Sequence, residues 1–93
     1  MVKKAFRELL RMAQSEGVDD PWIDAGIPHD RLVGLLDGEP FEIVISRNFL
    51  GGHRSHKMAR GNIRREVARM RHARLMVLAK RMLEEKTMAE AAA

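Results

Sequence analysis

Leu32-Val33-Gly34-Leu35-Leu36-Asp37-Gly38-Glu39-Pro40-Phe41-Glu42-Ile43-Val44-Ile45 is the stretch of this 93-residue chain in which two folds compete. Read from its left, Leu32, Val33, Leu35 and Leu36 are spaced for one face of a helix over 28–36. Pro28 lies early in that helix, Asp30 in its first turn, and Asp37-Gly38 ends it. Read from its right, Ile43-Val44-Ile45 is β-branched and favours a strand. Asp37-Gly38 would then be the turn of a hairpin joining 32–36 to 41–45. The rival for the right-hand part is a short helix over 40–50, with Phe41, Ile45 and Phe49 on one face. The reading adopted is a helix over 28–36, then one short strand or hairpin near 41–46. An all-α chain is the alternative.

Toward the N-terminus, Val2, Phe6, Leu9, Leu10 and Ala13 make the apolar stripe of an amphipathic helix over 2–16, with Lys3, Lys4, Arg7 and Arg11 off the stripe. Gly17 stops it. Asp19-Asp20-Pro21-Trp22 has the form of a helix cap followed by Pro at the first helical position, and predicts about one turn of helix. Toward the C-terminus, Gly51-Gly52 punctuates and Ser55 is a candidate cap. A long helix follows, weakened at Gly61 by about 1 kcal/mol relative to Ala. The expected fold is mainly α, a single small domain over 1–93. A small helical N-terminal part with the acidic segment 15–42 spans 1–50 and includes the strand or hairpin near 41–46, a long basic amphipathic helix spans 54–86, and the tail at 87–93 frays.

The charge pattern is bipolar. Segment 15–42 holds eight acids (Glu16, Asp19, Asp20, Asp24, Asp30, Asp37, Glu39, Glu42) and one base, Arg31. Segment 54–83 holds ten bases and one acid, Glu66, so the net charge of +4 conceals a strongly cationic half. Such a block faces a polyanion, or the acidic half covers it within one chain or between two. The chain has no cysteine, which excludes disulfide staples, thiolate metal sites and a Cys nucleophile. No apolar run approaches the roughly 18 residues of a membrane span. The start has charge without an apolar signal core. A cytoplasmic protein with no membrane association is expected.

The long helix divides in two when residues are placed 100° apart. In its first half Ala59, Ile63, Val67 and Met70 form one narrow apolar edge. Lys57, Arg60, Arg64 and Arg71 flank that edge, and Arg65 and Arg69 lie behind. In its second half the stripe moves to nearly the opposite side, with Leu75, Ala79, Met82 and Leu83. These four are the candidate oligomer interface of a homodimer or larger assembly. The rival is a break near His72-Ala73 that folds the last helix back onto the domain.

Candidate binding residues follow from this layout. Arg54, Lys57, Arg60, Arg64, Arg65, Arg69, Arg71 and Arg74 are candidate phosphate contacts, Arg suiting bidentate recognition. Gly51, Gly52, His53 and Ser55 lead into a helix and form a candidate phosphate loop. Arg47, Asn48 and Phe49 combine groups useful for base contact, although Phe49 reads better as a core anchor. His53, His56 and His72 stand among cations with no carboxylate nearby in sequence, so no metal or other cofactor is expected. No Gly-x-Ser-x-Gly elbow or His–carboxylate pair stands out, and no enzyme is expected. The expected function is a small nucleic-acid-binding accessory protein, for DNA or RNA, that holds the backbone with little sequence reading. The alternative is a protein-binding adaptor or inhibitor. It would dock its charged helix on an acidic protein surface, or offer its acidic, nucleic-acid-mimicking face to a partner.

Overall fold

Residues 4–46, 49 and 51–92 are described by the computed structural model. The elements are α1 (Lys4–Ser15), β1 (Asp19–Asp24), β2 (Arg31–Leu36), β3 (Glu39–Val44) and α2 (His53–Ala92). The strands form one antiparallel sheet in the order β1-β2-β3. The fold is α+β, which corrects the mainly-α expectation. The helix read over 28–36 is strand β2 with the loop before it, and the one-turn helix read after Asp19-Asp20-Pro21 is strand β1.

The physical reasons for the correction are local. Leu36 pairs with Glu39 around a two-residue loop, and Asp37 and Gly38 take φ values of 53° and 84°. Two positive φ values in such a loop make a type I′ turn, whose twist suits a tight hairpin. Leu32 and Leu36 are buried while Leu35 is 42% exposed, which is a strand period and not a helical one. As the central strand, β2 has both edges hydrogen-bonded to neighbours. Each fully buried Leu adds about 1.5–3 kcal/mol. These tertiary terms outweigh the helical preference of a Leu-rich run.

Asp19-Asp20-Pro21 imitates a helix start because it forms a bulge. Asp19 pairs with Leu35 and Trp22 with Val33, so β1 uses one residue more than β2 over the same span, and Asp20 has φ 48°. Pro21 cannot donate to a ladder, but it lies at the bulge of an edge strand; Pro40 lies on the other edge strand. Gly34 lies against this bulge. A Cβ there would stand 2.6 Å from Val18 Cγ1 and 2.9 Å from the Asp19 carbonyl oxygen.

Both helices cover one face of the sheet. Leu9, Met12 and Ala13 of α1 and Ile63 and Val67 of α2 meet Val18, Leu32, Leu36, Phe41 and Ile45 in a single core. Glu8 contacts His56 and Glu16 contacts Arg64, a constant offset of 48, so α1 runs parallel to the first part of α2. The opposite face of the sheet is open, leaving Trp22 56% and Val44 56% exposed. Beyond Arg74, α2 leaves the body. Every residue over 71–92 is exposed, and the molecule measures 63 × 23 × 22 Å. The helix is unbroken at His72-Ala73.

Candidate nucleic-acid interface

The narrow apolar edge of the first half of α2 sets the direction of its cations. Ile63 and Val67 are buried, and Ala59 and Met70 pack against the core, so the residues around them turn outward. Arg54, Lys57, Arg60, Arg64, Arg65, Arg69, Arg71 and Arg74 are all exposed. α1 lies alongside and adds Arg11. A groove of about 400 Å³ between the two helices is lined by Glu8, Arg11, Met12, Ser15, His56 and Arg60.

The eight cations are not equivalent. Arg64 Nε donates to Glu16 Oε1 at 2.7 Å. Arg71 Nε donates to Asp37 Oδ2 at 3.2 Å, and Arg74 Nη1 donates to the Asp37 carbonyl oxygen at 3.1 Å. Arg69 Nε donates to Glu66 Oε2 at 3.0 Å, within α2. That hydrogen bond lowers the Glu66 pKa against the opposing effect of burial, with a smaller contribution from the Arg69 charge, and it raises the pKa of Arg69. Arg54, Lys57, Arg60 and Arg65 have no ion-pair partner among the described residues. Masking by the acidic segment is therefore partial. Glu16 and Asp37 reach α2, whereas Asp24 and Glu42 hold Arg31 across the sheet at 2.6 and 2.8 Å. These paired carboxylates raise the pKa of Arg31, with Glu42 the stronger influence.

The first turn of α2 contains no acid, and its positive dipole end carries His53, Arg54 and Lys57. His56 N donates to the Gly52 carbonyl oxygen at 2.8 Å, so Gly52, not Ser55, holds the cap position. Gly51 has φ 75°, and a Cβ there would approach Ala5 Cβ to 2.7 Å; its place is against α1. Gly52 has nothing within 4 Å of such an added atom and is open. Of the loop candidates, Gly52 and His53 are exposed, and Gly51 and Ser55 are half-buried. Phe49 packs against the core, with its ring centroid 6.1 Å from that of His56. Arg47, Asn48 and Leu50 lie outside the described residues, as do Val2 and Lys3.

Sequence reading missed the contribution of α1. His56 Nε2 stands 2.7 Å from Glu8 Oε2, an ion pair by distance when the ring is protonated, although the approach is not aligned as a hydrogen bond. Glu8 and Arg11 are three residues apart on one side of α1, a signal that an i, i+3 reading could have found. No group of three or more His, Asp and Glu side chains among the described residues is placed to hold a metal ion. No helix among them is long and apolar enough to cross a membrane. Leu75, Ala79, Met82 and Leu83 are exposed on the projecting part of α2. No family model, curated protein or solved structure matches the chain.

Proposed function

We propose that the protein is a nucleic-acid-binding accessory protein that holds the phosphate backbone on the surface shared by α1 and the first half of α2. The observation that carries this reading is the set of exposed cations without a carboxylate partner. Arg54, Lys57 and Arg60 lie in succession along α2, beginning at the positive end of its dipole, and Arg11 shares the interhelical groove with Arg60. Cations at a helix start oppose the dipole and destabilise the helix by about 0.3–1 kcal/mol each at low salt. An anion bound there reverses that cost. The unpaired cations from 54 to 65 span about 16 Å, enough to follow several phosphates of one strand. No side chain is assigned to base reading, so contacts position without specifying sequence. The test is a gel shift of a generic duplex at moderate salt, with protein freed of nuclease-sensitive material. A shift lost in Arg54→Ala/Lys57→Ala/Arg60→Ala supports the reading, and its absence with unmutated protein refutes it.

A second reading, the protein-binding adaptor, draws support from the open face of the sheet. Trp22, Val33, Leu35 and Pro40 lie there with Asp20 and Glu42 beside them, an apolar surface with an acidic margin. That chemistry suits a basic protein segment. Replacing Trp22 with Ser separates the two readings: it weakens capture of a basic protein and leaves polyanion binding unchanged.

A further inference from the structure

The arm of α2 beyond the body carries seven large apolar side chains in water: Leu75, Met76, Val77, Leu78, Met82, Leu83 and Met88, each 44–72% exposed. Two of them, Leu75 and Met82, follow Ala68, His72, Ala79 and Ala89 on a single side of the helix at steps of four and three, with Lys86 filling the remaining position and Met76, Leu78 and Leu83 flanking that side. This is the spacing of a coiled-coil seam. The seam lies about 110° round the helix from Ile63 and Val67, which point into the core.

We infer that the occupant of this seam is the same arm of a second copy, running antiparallel. The charges along the arm decide the direction. Residues 69–81 hold five bases and no acid, whereas 84–90 hold Glu84, Glu85 and Glu90 with one base, Lys86. A parallel pair sets each basic stretch against its own copy, and also brings the cations of 54–65 together. An antiparallel pair that places Leu75 opposite Met82 brings His72, on the seam, and Arg71, at its margin, level with the partner's Glu85. Ala79, the smallest residue of the central seam, then sits at the two-fold axis and permits close approach. Overlap over 68–89 is about 33 Å long, and helices about 10 Å across bury on the order of 1,000 Å² over that length. That area meets the lower bound for a specific interface.

The association is independent of the nucleic-acid reading, but its consequence rests on that reading. With the axis between residues 78 and 79, the two Arg60 positions stand about 55 Å apart, at opposite ends of the pair. A dimer of this form holds two separate basic faces and bridges two backbone segments, on one duplex or on two.

The chain contains no cysteine, so single cysteines report the pairing directly. Under mild oxidation Ala79→Cys cross-links to itself, and a mixture of Ala68→Cys and Ala89→Cys proteins gives the mixed disulfide in preference to either homodimer. Sedimentation equilibrium of the unmutated protein finds a dimer at tens of micromolar. Leu75→Glu with Met82→Glu weakens association roughly 100-fold or more, with the helical circular dichroism retained. A monomer in the unmutated protein overturns the proposal. So does Ala68→Cys self-linking as readily as the mixture links, which is the parallel arrangement. A dimer that ignores nucleic acid refutes the proposed function alone. A monomer that binds it refutes the pairing alone.

Discussion

Gly34 and Glu66 show how single residues bear on the fold and on the basic surface. Gly34 has no room for a methyl group, because Val18 and the backbone of the β1 bulge occupy the place a Cβ would take. Gly34→Ala is expected to lower stability by about 1–3 kcal/mol, the usual cost of overpacking, read as a fall in the urea midpoint at unchanged slope. Glu66 is held below the ordinary carboxylate range mainly by its hydrogen bond from Arg69. Its contribution is present above the unfolded pKa and is lost as pH falls through the lower folded one. Arg69 is 67% exposed, so solvent screening keeps the contribution of the pair small. Glu66→Gln therefore lowers stability slightly at neutral pH, and the two proteins converge in acid. Urea titrations on both sides of the carboxylate range measure the difference. A constant gap at all pH values would contradict this assignment.

At the scale of elements, the helices were more legible than the sheet. The amphipathic stripe of α1 and the basic run of α2 are local patterns, and both can be read from spacing alone. The strands depend on partners. Leu32-Val33-Gly34-Leu35-Leu36 satisfies a helical spacing as well as an alternating one, and only its central position between β1 and β3 decides between them. Asp19-Asp20-Pro21 was opaque because a bulge with positive φ and a helix cap draw on the same residue types. Within the candidate interface, the cations of α2 could be named from sequence, but their pairing could not, since Glu16 and Asp37 reach Arg64 and Arg71 only through the fold. That pairing gives a prediction. Glu16→Gln releases Arg64, and tightens polyanion binding by up to about fivefold, the equivalent of one exposed ion pair. Asp19→Asn with Asp20→Asn changes affinity less, because those acids lie on the sheet edge away from β3, the strand that α2 contacts. Equal effects from both variants would mean that the acidic segment acts through its long-range field and not by contact.

The whole molecule is a small α+β body with a basic side and a helical arm that leaves it. Counterion release is the most direct test of phosphate binding by the basic side. If Arg54, Lys57, Arg60 and Arg65 neutralise four phosphates, log affinity for a duplex falls against log salt with a slope of about −3.6. Arg60→Ala weakens binding to every sequence by a similar factor and makes the slope shallower by about 0.9, since one phosphate contact is lost. Val67→Ala, a change on the buried edge, lowers stability and leaves the slope unchanged. The measurement is a salt titration of duplex binding by the unmutated protein and these two variants. A flat salt dependence, or a slope that Arg60→Ala does not alter, would contradict the account.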